Sequence, residues 1–86
     1  MATATIYFSD GRSLKVEEGQ RFYPVTLCTL DEKPFATRGE SVEIWNHVHD
    51  GLVPSILDLL LTSEFFMDIY NTSVVYSSKS VTRVEG

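Results

Sequence analysis

The chain has 86 residues, of which 43 % are hydrophobic, 12 % aromatic and 22 % charged, a balance that excludes disordered, collagenous and membrane-embedded classes. Seven lysines and arginines stand against twelve aspartates and glutamates, for a net charge of −5, which disfavours non-specific attraction to nucleic acid or anionic lipid. Residues 1–86 have room for one small domain and not for a second core.

The opening residues, Met1 to Asp10, carry no basic segment followed by an apolar one and no small-residue cleavage site, so a cytosolic chain is expected rather than a secreted one. Ala4, Ile6 and Phe8 alternate with Thr5 and Tyr7, and Leu14 and Val16 alternate with Ser13, Lys15 and Glu17, which is the pattern of two half-buried strands. The Asp10-Gly11 pair suggests a two-residue turn, but that turn would set Tyr7 opposite Leu14 and mix the apolar and polar faces. A three-residue loop, Ser9-Asp10-Gly11, with Gly11 left-handed as a bulge, pairs Ile6 with Leu14 and Ala4 with Val16. This is the expected hairpin.

Glu17 to Gln20 reads as a turn. Phe22 to Leu30 is rich in β-branched and aromatic residues and reads as a third strand, with Pro24 confined to its start, a bulge or a sheet edge. Asp31 to Pro34 closes that strand as a polar turn. From Glu40 to Asp50 a period of two competes with a helical one. The helical count gathers Ile44, Trp45, Val48 and Leu52 on one side and Glu40, Glu43, His47 and Asp50 on the other. With Thr37 and Glu40 as a capping box and Gly51 as a stop, this segment is expected to be a first helix.

Pro54 suits the first turn of a second helix, with Ser55 and Asp58 offering an alternative cap. Its leucines surround most of the axis and leave Ser55, Asp58 and Thr62 as a narrow polar stripe. Glu64 to Tyr70 fits either a continued helix or a strand. Val74 to Tyr76 and Val81 to Glu85 read as a broken terminal strand. The expected class is α+β, in the order βββααβ(β), with an antiparallel sheet of four to five strands packed against two helices.

Charge patterning gives the main functional expectation. Between Glu40 and Tyr70 lie six acids, Glu40, Glu43, Asp50, Asp58, Glu64 and Asp68, without one lysine or arginine. Such a field steers a basic protein partner and repels anionic ones, and without cations neither helix suits DNA contact. The aromatic set exceeds what a small core hides. Trp45, Phe65, Phe66 and Tyr70 are therefore expected to anchor a partner, a second copy included, with His47 on the same segment. The reading is a non-catalytic protein-binding module, an accessory regulator or inhibitor acting through an acidic helical face. Its bland counterpart is a solvated face that only keeps the chain soluble.

Two other readings remain at this level. Glu43, His47, His49 and Asp50 carry metal-ligand chemistry, although on a helix the two imidazoles diverge by about 200°. The apolar helix alternatively belongs to a structural subunit of a homo-oligomer. Cys28 is the only cysteine; it rules out an intrachain disulfide, and its apolar strand favours a neutral, core-filling thiol. No nucleophile, metalloprotease or phosphate-loop motif is present, so neither a reaction nor a cofactor is expected.

Overall fold

A computed structural model describes residues 2–86, apart from the side chain of Leu30. Its strands are β1 (Thr3–Phe8), β2 (Ser13–Glu17), β3 (Arg21–Leu30), β4 (Lys33–Arg38), β5 (Val42–Glu43), β6 (Phe65–Asp68), β7 (Asn71–Ser77) and β8 (Val81–Glu85). One α-helix, α1 (Val53–Thr62), lies between β5 and β6, and a 3-10 turn at Ser78–Ser80 joins β7 to β8. The strands form two antiparallel sheets. One has the order β2-β1-β8; the other runs β4-β3-β6-β7, with β5 also paired to β3.

The first hairpin obeys the alternation of its side chains. Ile6 pairs with Leu14 and Ala4 with Val16, and the Phe8 N–H donates to the Arg12 carbonyl at 2.9 Å across the Ser9-Asp10-Gly11 loop. Gly11 has φ 88°, a conformation that suits glycine and makes the bulge. Ala4, Ile6, Phe8 and Val16 thereby enter the core together.

The expected α+β class, with one sheet on two helices, is overturned: the fold is β-rich, with two sheets and one helix. The correction falls on Glu40 to Asp50. Thr37, expected to cap a helix, lies in β4 opposite Thr26. Val42 and Glu43 pair with β3. The Ile44 N–H donates to the Gln20 carbonyl, and the Ile44 carbonyl accepts from the Gly19 N–H, both at 2.8 Å. These groups bond to the β2–β3 turn instead of to a residue one helical turn away. Burial follows period two: Ile44 is fully buried while Glu43 and Trp45 face out. β-branched Val42 and Ile44 lose side-chain freedom in a helix and fit a pleated surface, and contacts with β3 decide between the two periods. Gly51 is left-handed, at φ 65°, but it closes a loop through paired hydrogen bonds with His47 (2.8 and 3.2 Å) and ends no helix.

The second expected helix does form, with Pro54 in its first turn. Its cap differs from expectation. No side chain caps its start, and Ser55 is buried, where its Oγ accepts from the Trp45 N–H (3.3 Å) and donates to the Glu43 carbonyl (3.4 Å). Ser55 thus fastens α1 to the end of β5. Ile56 and Leu59 pack inward, whereas Leu57 and Leu61 are exposed, so the helix is buried on one side only. Residues Glu64 to Tyr70, open in the sequence, turn into β6 and the following tight turn.

The core sits between the sheets and α1. Ala4, Ile6, Phe8 and Val16 come from one sheet, Phe22 and Phe66 from the other, Ile44 from the segment just after β5, and Leu52, Ile56 and Leu59 from the helix and its approach. An aromatic line links the two sheets. Phe22 meets Phe66 edge-on at 5.8 Å, and Tyr76 stacks at 5.3 Å on both Phe66 and Phe8, a geometry that adds stability beyond area burial.

The β3–β4 hairpin contributes to an elongated body of 45 × 27 × 22 Å. Pro24 pairs with Phe66 on one side, and its carbonyl accepts the Gly39 N–H at 2.8 Å on the other, at the break between β4 and β5. The missing proline donor therefore falls where no ladder continues. At the hairpin tip, Asp31 and Glu32 both have positive φ, 52° and 63°, the backbone of a two-residue hairpin turn that prefers Asn-Gly. Left-handed backbone is costly for a residue with a Cβ. Replacing Asp31→Asn and Glu32→Gly together is expected to raise stability by about 1 kcal/mol, visible as a higher midpoint in urea with unchanged slope. A lower midpoint would show that the turn conformation is not the one described.

Candidate functional site

The six acids of the middle segment do not share a helical face, because only Asp58 lies on α1. Glu43 is bridged to Arg21 at 3.0 Å and Glu64 to Lys79 at 3.4 Å. Asp68 is part of a turn: it accepts from Gln20 Nε2 (2.6 Å) and from the Tyr70 N–H (2.8 Å). Glu40, Asp50 and Asp58 are exposed and make no ion pair among the described residues. Half of the set is therefore engaged within the fold.

The expected anchors also separate. Phe66 is fully buried in the aromatic line and offers nothing to a partner. Trp45 is half exposed and stacks on His47 at 3.8 Å, where His47 Nε2 is buried without a hydrogen-bond partner. Tyr70 projects from the β6–β7 turn at 91 % exposure. Phe65, adjacent to Phe66 and so on the opposite face of β6, is 44 % exposed. For the metal reading, no group of three His, Cys, Asp or Glu side chains that could hold an ion occurs among the described residues, so Glu43, His47, His49 and Asp50 do not assemble.

Strand register brings a different set together. Tyr23, Val25 and Leu27 alternate with the core residue Phe22 and so point away from the core. Val25 lies opposite Phe65 on β6 and Arg38 on β4, Leu27 lies opposite Ala36, and Phe65 lies opposite Ser77. Opposed residues share a face, so Val25, Leu27, Ala36, Phe65 and Ser77 line one outer surface of the larger sheet. They form a shallow groove of about 270 Å³, edged by Glu64 and Lys79. Leu27 is 64 % exposed in it. Arg38 lies beside this groove with its guanidinium 4.2 Å from the centre of the Tyr23 ring, a cation–π contact.

Of this set, Phe65 and the bordering Glu64 were expected at an interface. The signal for the rest lies in Phe22 to Leu30, which has apolar residues at both parities. A strand without a polar face is either covered on both sides or leaves an apolar face in water. No family model matches the sequence, and no curated protein or solved structure shows significant similarity to it. No helix among the described residues is long and apolar enough to cross a membrane.

Proposed function

We propose that this chain is a protein-binding module with no reaction of its own, acting as an accessory regulator or inhibitor that docks through the outer face of its larger sheet. The observation that carries the reading is the groove of Val25, Leu27, Ala36 and Phe65. Contiguous apolar surface of this kind, with polar groups at its rim, is a feature of interaction sites. Leu27 and Phe65 supply the apolar contact, and the sheet beneath holds them in fixed register. The acids Glu40, Asp50 and Asp58 act at longer range, as a field that salt weakens.

Photo-crosslinking in the native host tests this reading. With benzoylphenylalanine at position 27 or 65, a discrete heavier adduct is expected; with the same group at position 58 on α1, it is not. Adducts from 58 alone would overturn the assignment of the face. A similar spread of adducts from all three positions would show that no specific partner docks there.

A further inference from the structure

The two sheets end in the edge strands β2, β8, β4 and β7. An edge strand offers its unpaired backbone groups to another chain unless charge, proline or a covering element blunts it. β2 carries Lys15 and Glu17, β4 carries Lys33, Pro34 and Arg38, and β8 carries Arg83 and Glu85 with the α1 side chains Leu57, Leu60 and Leu61 alongside. β7, by contrast, has no charged residue and no proline from Asn71 to Ser77. Its outer edge is the unguarded one.

The register of the larger sheet shows which groups that edge presents. Backbone groups alternate in direction along an antiparallel strand. The Pro24 carbonyl turns toward β4, where it accepts from Gly39, and the Arg21 carbonyl turns the other way, toward the Ile69 N–H. Val25 therefore turns to β6 and meets Phe65, so that Phe66 turns to β7 and meets Tyr76. Val75 and Ser77, on either side of Tyr76, then direct their N–H and carbonyl groups away from β6. Among the described residues, no backbone hydrogen bond joins them to the facing β1–β2 loop. Between this edge and that loop lies a cleft of about 420 Å³, with Val74 to Ser77 on one wall and Phe8, Ser9, Asp10 and Arg12 on the other.

From these free backbone groups and the cleft beside them we propose that β7 is a strand-addition site, which takes a single extended segment of a partner polypeptide. The walls choose the occupant. Paired strands lie about 4.8 Å apart, so β7 of a second copy would bring its own β6 to the place where the β1–β2 loop stands, whereas one strand with no sheet behind it enters. Main-chain hydrogen bonds to Val75 and Ser77 supply affinity, and alternate side chains of the segment reach Val74 and Tyr76. Asp10 and Arg12 face each other at 3.9 Å and give the cleft no preferred sign of charge, so β-branched and aromatic residues suit the segment. The inference does not depend on the docking face proposed above, which acts through the Leu27 and Phe65 side chains.

A phage-displayed library of random seven-residue peptides, the length of β7, supplies the probe, and fluorescence anisotropy of a recovered peptide reads its binding to the full chain. Val75→Ala keeps the outward N–H and is expected to bind within about threefold of the parent. Val75→Pro removes that N–H without breaking the β6–β7 ladder and is expected to bind at least about tenfold more weakly, the loss of a main-chain hydrogen bond. Its unchanged melting temperature reports an intact fold. On the peptide, methylating alternate amides along one edge should abolish binding, and methylating the other edge should leave it; this arm decides alone if Val75→Pro does not fold. The inference is overturned if the library yields no binder, if both methylated peptides bind as the parent peptide does, or if Val75→Ala loses as much as Val75→Pro. Leu27→Asp is expected to leave peptide binding unchanged. Abolition there would place the peptide in the groove, ending strand addition and leaving the docking face standing. Dimerisation of the free chain in sedimentation, abolished by Val75→Pro, would assign the edge to a second copy and overturn the partner segment.

Discussion

Phe66→Ala is expected to lower stability by about 3–5 kcal/mol, the usual cost of removing a fully buried phenylalanine and leaving a cavity. Phe66 is completely enclosed, meets Phe22 edge-on and stacks on Tyr76, which in turn stacks on Phe8 of the other sheet. The substitution therefore removes the ring that joins two parts of the core. For a domain of this length, 1 kcal/mol corresponds to roughly 4–8 °C in the melting temperature, so a fall of at least about 12 °C is expected in a thermal melt followed by circular dichroism. The neighbouring change Phe65→Ala removes a half-exposed ring and should cost less than about 1 kcal/mol. Equal losses would contradict the opposite facing of the two residues along β6.

That contrast separates what was legible in the sequence from what was not. The β1–β2 register was legible because a slip of one residue would have turned Ile6 and Leu14 out of the core. The strand from Phe22 and the helix after Gly51 were legible from β-branched content and from Pro54. The stretch from Glu40 to Asp50 was misread because Ile44, Trp45 and Val48 satisfy a helical count, while only Ile44 is buried. The deciding bonds to Gly19 and Gln20 are non-local and leave no periodic mark of their own. The acidic helical face was lost with that helix. Arg21 and Lys79, far away in sequence, also neutralise Glu43 and Glu64, pairings that a charge count along the chain cannot contain. Phe65 and Phe66 were named together as anchors, although once the segment is a strand the pair must divide between core and surface.

The acids left exposed still set the overall field. Glu40 precedes β5, Asp50 lies in the loop closed by His47 and Gly51, and Asp58 lies on α1. Without a shared element to align them, their effect on a partner is a matter of approach and not of fit. Charges of this kind change association rates more than final affinity. The apolar groove, by contrast, is fixed by strand register, and its contribution depends on burying Leu27 and Phe65.

The decisive measurement is the equilibrium affinity of the crosslinked partner for two variants at physiological salt, each checked for an unchanged melting temperature. Leu27→Asp places a charge in the groove at a position exposed in the free chain and is expected to weaken binding at least about tenfold, as loss of a central apolar contact does. The triple variant E40Q/D50N/D58N is expected to stay within about threefold of the parent, because rim charges are screened. The reverse pattern, with Leu27→Asp neutral and the triple variant failing to bind, would contradict docking through the sheet face.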